Sequence, residues 1–223
     1  MSKRIVIVSD THDYLDNFVT DQIAKFRPHV LFHNGDVEKP ETLQLYASLS
    51  PEFYAVKGDH DILPLSHKAI RIIDGVRIGQ IHGDRPKYKE RISEIANNSL
   101  FRGKYYYWNR FAQDALINFD EQIDVLLTGH LHVPFMCWIG NTFVINPGAI
   151  AVNGRSHHLS VPTLAILDIY KNGIEATIFA LEKGRAPIPL PVSNQGPVPG
   201  WQQMIRQKAI WQTPVSSNNS ATA

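Results

Sequence analysis

The sequence predicts an α/β protein, on three observations. Ile5-Val6-Ile7-Val8 is an unbroken β-branched run, the composition a strand needs when both its faces are covered. Strand-like and helix-like segments then alternate, and each strand finishes in a loop of acidic residues and histidines. Further on, three pairs of strand-like segments are joined across Asp74-Gly75, Gly140-Asn141 and Asn172-Gly173, which are short-range hairpin signals.

Taken in order, the first strand ends at Ser9-Asp10-Thr11-His12-Asp13. The spacing of Phe18, Val19, Ile23 and Phe26 predicts a helix over about 16–27, closed by Pro28. Residues 29–33 form a second strand that ends in Asn34-Gly35-Asp36, and residues 40–49 a short helix. Residues 53–57 read as a third, buried strand running into Gly58-Asp59-His60-Asp61, where the glycine permits a sharp turn. Right-handed crossovers make these three strands parallel, so their polar ends share one sheet edge, the edge where open α/β sheets bind ligands.

The first hairpin, 69–73 with 76–81, runs into His82-Gly83-Asp84. Residues 87–118 are polar, charged and aromatic and read as largely helical, with breaks near Asn97-Asn98 and Arg102-Gly103. Residues 123–127 form another buried strand, followed by Thr128-Gly129-His130-Leu131-His132. The second hairpin, 135–139 with 142–145, ends in Asn146-Pro147-Gly148-Ala149, and the third joins 163–169 to 174–180.

The chain has 223 residues, of which 43% are hydrophobic and 19% charged, enough for one good-sized core. Residues 1–182 are expected to form that domain. After it, Pro187, Pro189, Pro191, Pro197 and Pro199 predict an extended linker over part of 183–223, with a short helix at 201–211 and a disordered end. A formal charge of +1 supplies no field for dedicated nucleic-acid binding. One cysteine, Cys137, excludes an internal disulfide and sits in an apolar run that reads as core. The first residues carry no apolar stretch of signal-peptide or membrane-span length, so a cytoplasmic protein without a membrane partner is expected.

The chemistry lies in eight side chains from five strand ends: Asp10, His12, Asp36, Asp59, His60, His82, His130 and His132. Any one aspartate read alone is an ordinary helix cap. Eight ionisable groups at one sheet edge require neutralisation, and bound cations supply it most directly. Carboxylates mixed with imidazoles, without a thiolate, suit manganese, iron or zinc better than calcium. Their number suggests two ions ~4 Å apart with one shared aspartate. Such a pair makes a bridging hydroxide available near neutral pH and stabilises charge on a phosphoryl group.

Asp10-Thr11-His12, Gly35-Asp36, Gly58-Asp59-His60-Asp61, His82-Gly83, Gly129-His130-Leu131-His132 and Asn146-Pro147-Gly148 stand in the order and setting of the calcineurin-like metallophosphoesterases. Over residues 1–182 the chain resembles the small bacterial and archaeal phosphodiesterase branch of that superfamily. The resemblance implies a two-sheet β-sandwich flanked by helices, four layers in the order αββα. It implies Asp10, His12 and His132 on one metal, Asp36 as the bridge, and Asp59, His82 and His130 on the other. His60 would protonate the leaving oxygen as general acid. The cofactors implied are two divalent transition-metal ions, manganese first, with iron, nickel and zinc also able to accept these ligands. The substrate implied is a small phosphoester, diesters ahead of monoesters.

Two positions depart from the pattern. The family usually has asparagine where this chain has Asp59, and many relatives carry a histidine where this chain has Asp84. A scaffold that keeps the fold and loses catalysis is the alternative from a different class, and His60, the proton donor, speaks for the enzyme. A nuclease like the larger repair enzymes of the superfamily fits the near-neutral charge poorly. The Arg102 to Arg110 segment interleaves aromatics with cations, as helix packing or a homo-oligomer contact would, and the C-terminal tail is expected to dock onto the body or onto a second subunit. His157-His158 reads as a solvated loop, and His29 and His33 as packed residues without chemistry.

Overall fold

The structure is a computed structural model that describes residues 2–12, 14–84, 106–152, 161–190, 192–193, 196–197 and 211–213. The β-branched opening run becomes β1 (Lys3–Val8), and Ile5 to Val8 have no exposure at all. After α1 (Asn17–Lys25) comes β2 (Val30–His33), then α2 (Pro40–Ala47) and β3 (Glu52–Ala55). β1 pairs parallel with β2, and β2 with β3, as the crossover rule requires. β9 (Thr163–Tyr170) and β10 (Gly173–Ala180) extend this first sheet on the other side, with β9 antiparallel to β1.

The second sheet has the order β4-β5-β6-β8-β7. β4 (Lys68–Ile73) and β5 (Val76–Ile81) close the hairpin at Asp74-Gly75, and β7 (Pro134–Ile139) and β8 (Thr142–Pro147) close theirs at Gly140-Asn141. β6 (Val125–Leu127) lies parallel to both β5 and β8, so its carboxyl end points the same way as theirs.

Strand parity sorts the core into layers. Ile5 and Ile7 of β1 join Phe32, Ile78, Val125, Leu127, Phe143 and Ile145 in a cluster between the two sheets. Val6 and Val8 face the other way and pack with Val19, Ile23 and Tyr46 under α1 and α2. Leu126, Phe135, Cys137 and Val144 cover the outer face of the second sheet beneath Phe111, Ala112 and Ala115 of α3 (Tyr106–Leu116). The result is the helix, sheet, sheet, helix sandwich. Trp108 packs on Phe135 with ring centroids 5.6 Å apart, so this aromatic residue of the 102–110 segment is used in packing. Cys137 is buried, and burial pushes its thiol up to about 12, as expected of an inert core residue. No helix among the described residues is long and apolar enough to cross a membrane.

Several boundaries move. Asp16 stands outside α1 as its cap, accepting from the Phe18 N–H at 2.9 Å, which shortens the predicted helix at its start. β3 is half-buried along its length, not fully buried, because it is the edge strand of the first sheet. The third hairpin turns at Lys171-Asn172, one residue early, since Gly173 already pairs with Tyr170. Past residue 182 the chain stays attached to the first sheet: β11 (Ile188–Pro189) pairs with Phe179 and Ala180, and Leu190 is fully buried. β12 (Val192–Ser193) and β13 (Gly196–Pro197) pair with each other, and β14 (Trp211–Thr213) lies along β10. The helix predicted over 201–211 falls outside the described residues except at Trp211, which opens β14. The readings of residues 87–105 and of His157-His158 also lie outside the described residues.

Candidate metal centre

Both sheets deliver polar loops to one end of the sandwich. From the first come Asp10 and His12 after β1, Asp36 after β2, and Asp59 and His60 after β3; from the second come His82 after β5, and His130 and His132 after β6. All eight predicted residues meet there. Two clusters form, Asp10 with His12 and His132, and Asp59 with His82 and His130, each with its nitrogen and oxygen donors within 4.8 Å of one another. Asp36 stands between them: its Oδ2 lies 3.6 Å from His12 Nε2 and 3.5 Å from His82 Nε2. One oxygen thus faces both clusters.

The loops pass closely over one another, and that decides two glycines. A Cβ on Gly58 would fall on Asp36 Oδ1, and one on Gly129 would fall on Ser9 Oγ, with Asp10 Oδ2 at 3.0 Å. Gly58 is therefore required for room, and its φ is not positive. The strained backbone is elsewhere in these loops. Asp10, His12, Asp36, His130 and His132 all have positive φ, between 42° and 67°, which side-chain-bearing residues rarely adopt.

Hydrogen bonds then aim the donors. His82 Nδ1 lies 2.7 Å from the main-chain oxygen of Asn34, and a carbonyl can only accept, so Nδ1 carries the proton. His12 Nδ1 meets Glu38 Oε1 at 2.9 Å and is protonated for the same reason. The Nε2 atoms of both rings are left facing inward. His82 Nε2 is fully buried and has no hydrogen-bond partner, although Asp59 Oδ1 and Asp36 Oδ2 lie only 3.3 and 3.5 Å away. His12 Nε2 faces His132 Nε2 at 3.0 Å, and His132 Nε2 is also 3.0 Å from Asp10 Oδ1. Imidazole nitrogens and carboxylate oxygens converging at 3.0 to 3.6 Å are the donor set a divalent cation takes.

The electrostatics say the same. Burial would push the Asp10 carboxyl up, yet the bond to His132 and the charges of His82 and His132 hold it well below the usual range. Asp36 shows the same competition between burial and His82, with the same net direction. His130 and His82 hold the Asp59 carboxyl far below its ordinary value. Burial opposes protonation of His82, and the surrounding carboxylates overcome it, so its pKa rises well above that of a free imidazole. Without an ion, a histidine has to serve as the cation among these carboxylates.

Residues 4–172 match the calcineurin-like phosphoesterase superfamily domain, three quarters of the chain. The chain belongs to the calcineurin-like phosphoesterase superfamily. A probable metallophosphoesterase of Methanocaldococcus jannaschii is 30% identical over 184 residues, covering 80% of this chain and 82% of that one. A second, from Methanothermobacter thermautotrophicus, is 24% identical over 181 residues, covering 78% and 91%. Among solved structures, a Vps29 mutant of Entamoeba histolytica shares the fold at TM-score 0.59 and 20% identity, over 83% of this chain and 96% of that one. A predicted phosphoesterase of Streptococcus pneumoniae does so at TM-score 0.52 and 20% identity, over 82% and 95%. Members of the superfamily bind divalent metals, and the two clusters offer donors suited to them.

Of the remaining predicted residues, Asp59 and His60 sit at the rim, with side chains 36% and 38% exposed, while Asp10, Asp36 and His82 are buried. His60 Nε2 lies 3.6 Å from Asp59 Oδ2, and its ring centroid is 5.3 Å from that of His12. Asp84 is exposed and joins none of the clusters among the described residues. His33 is buried with its Nε2 3.2 Å from Thr11 Oγ1, and His29 is exposed and accepts the Arg4 N–H through Nδ1.

The supporting residues were the ones sequence reasoning did not assign. The two carboxylate oxygens of Asp61 accept the N–H groups of Asp36, Val37, Glu38 and Gly58 at 2.6 to 2.9 Å. That clamp ties the loop after β2 to the loop after β3. The His60 N–H in turn donates to Asp36 Oδ1 at 3.0 Å, which leaves Oδ2 to the clusters. Asn34 donates to the Thr128 oxygen at 2.9 Å and Asn146 to the Gly129 oxygen, so amide side chains hold the His130 loop from below. The Asn-Pro-Gly motif was the available signal for Asn146, and the acidic fourth position of Gly-Asp-His-Asp the signal for Asp61.

Proposed function

We propose that this chain is a dinuclear metal-dependent phosphoesterase acting on phosphodiesters ahead of monoesters. The observation that carries the reading is Asp36 Oδ2, a single buried oxygen within 3.6 Å of inward-facing nitrogens from both clusters. In this assignment Asp10, His12 and His132 hold one ion, Asp59, His82 and His130 the other, and Asp36 is shared. Bound there, two divalent cations supply activation of water at neutral pH and neutralise charge on the phosphoryl group. Manganese is the first candidate. Zinc is the second, and Vps29 of Entamoeba histolytica has been crystallised with it.

The chain's own side chains contribute the rest. His60, exposed at the rim beside Asp59, protonates the leaving oxygen, the place where a departing alcohol would sit. Its main-chain N–H donates to Asp36 Oδ1, which ties the loop carrying the acid to the shared carboxylate. Asp10, Asp36 and Asp59 give three carboxylates to two dications, where an asparagine in place of Asp59 would leave two. The lower residual positive charge favours a singly charged diester over a doubly charged monoester. The scaffold alternative rests on the Vps29 likeness, which includes Chaetomium thermophilum Vps29 in complex with a cyclic peptide.

Hydrolysis of bis-p-nitrophenyl phosphate with added manganese, by the unaltered chain, His60→Ala and Asp36→Asn, tests the reading. Metal-dependent turnover that is lost in Asp36→Asn and only modestly reduced in His60→Ala, since this leaving group needs little protonation, supports it. Metal-loaded protein that turns over no diester or monoester overturns it in favour of the scaffold.

A further inference from the structure

The loops of this centre share a backbone signature. Asp10 and His12 have φ of 54° and 42°, and His130 and His132 have 67° and 54°: two left-handed residues separated by one ordinary residue. The loop after β2 repeats it with Asp36 at 56° and Glu38 at 66°. In the first two loops both left-handed residues point donors into the clusters. By position, Glu38 is the counterpart of His12 and His132.

Glu38 does not join the donor clusters. Its Oε1 instead receives the Nδ1–H of His12 at 2.9 Å, on the side of the ring away from Asp36 and His132. Its own N–H donates to Asp61 Oδ1 at 2.6 Å, so the carboxylate that clamps Asp36 also fixes the base of Glu38. A glutamate is a poor choice for this backbone, where glycine or asparagine is less strained, and left-handed glutamate persists only where its surroundings hold it.

We propose that Glu38 is a positioning residue that acts through His12, fixing the Nδ1–H tautomer and the ring orientation so that Nε2 is presented to the Asp10, His12 and His132 cluster. The inference rests on the metal-centre reading above and adds a residue to it. A carboxylate behind a ligating imidazole raises the basicity of the donor nitrogen and removes the alternative tautomer, and losing such a partner typically weakens metal binding about 10- to 100-fold.

The test is titration of the chelator-stripped full chain with cobalt(II), following visible absorption and heat, for the unaltered chain, Glu38→Gly and Glu38→Gln, with thermal unfolding of the same metal-free samples. Glu38→Gly is expected to weaken one of two binding events about 10- to 100-fold, leave the other unchanged, and leave metal-free unfolding unchanged or shifted upward, since it relaxes the left-handed position. Glu38→Gln keeps an acceptor for Nδ1–H and is expected to recover most of the affinity. Two unaltered binding events in Glu38→Gly overturn the role of Glu38 alone, as does a loss of affinity matched by a loss of metal-free stability. Failure of the unaltered chain to bind two equivalents overturns the metal-centre reading beneath it.

Discussion

The Nδ1–H of His82 donates to the main-chain oxygen of Asn34 at 2.7 Å, and this one bond fixes what the other ring nitrogen can be. Nε2 presents either a lone pair to a cation or a proton to carboxylates that lie near but accept no hydrogen bond from it. The second state is the best the bare protein can do: one imidazolium charge faces the Asp36 and Asp59 carboxylates, where a divalent cation would set two positive charges against the same oxygens. Saturating metal is therefore expected to raise the unfolding temperature well beyond the effect of salt alone. Scanning calorimetry with manganese, with magnesium and with chelator measures it, and equal midpoints in all three would contradict the account.

His60 is assigned the leaving-group proton, and a general acid matters most when the leaving group is poor. His60→Ala is expected to lower kcat by about 10²- to 10⁴-fold for an alkyl diester and much less for a p-nitrophenyl ester, whose leaving group needs little protonation. The number of bound metals should not change. An equal loss on both esters, or a lost metal, would assign His60 to metal binding through the Asp36, Asp59 and His60 group.

Asp59 tests the charge argument. Asp59→Asn is expected to keep metal-dependent hydrolysis and to raise monoester turnover relative to diester turnover, because one negative charge leaves the neighbourhood of the phosphoryl oxygens. Asp59→Ala removes the donor shared by His82 and His130 and is expected to lose the second metal. Normal occupancy of both sites in Asp59→Ala would contradict the ligand role.

Much of this centre is legible in the amino-acid sequence. β-branched runs mark the strands, and short polar motifs containing aspartate and histidine mark their ends, because both signals are local in the chain. Less legible are contacts that carry no period and join distant segments. Asp61 reaches back to residues 36–38, Asn34 reaches across the sandwich to Thr128, and nothing near either residue announces the partner. The status of β3 as an edge strand escaped for a related reason: Phe53-Tyr54-Ala55-Val56 has core composition, and only the sheet order shows that one side lacks a neighbour. Glu38 was within reach, since Asp-x-His, Asp-x-Glu and His-x-His repeat one spacing in three loops. That repetition is a backbone property and acquires its meaning from φ.

Asp61 is expected to support both stability and metal binding. Its carboxylate satisfies four N–H groups, so Asp61→Ala leaves several donors without acceptors and should cost on the order of 3–5 kcal/mol, measured by urea unfolding of the metal-free protein. Metal affinity should fall with it, because Asp36 loses its anchored N–H. A change below ~1 kcal/mol would show that water replaces the clamp.

His33 predicts a limb of the pH profile. Its Nε2 meets Thr11 Oγ1 at 3.2 Å, its Nδ1 is buried without a partner, and burial brings its pKa down to about 4. Between pH 6.5 and 4 the unfolded chain binds a proton that the folded chain excludes, so this stability is complete above 6.5 and is lost as pH falls through the window. The loss is on the order of 3 kcal/mol. Urea unfolding at pH 7 and pH 4.5 should show a smaller acid loss in His33→Gln than in the unaltered chain, and equal losses would contradict the assignment.

The most direct test of the central claim is a manganese titration of the chelator-stripped chain that follows bound metal and diester hydrolysis in the same samples. The account predicts two bound equivalents, with activity appearing as the second is taken up, and loss of both features in Asp36→Ala. Two bound equivalents without hydrolysis, or hydrolysis that survives in Asp36→Ala, would contradict it.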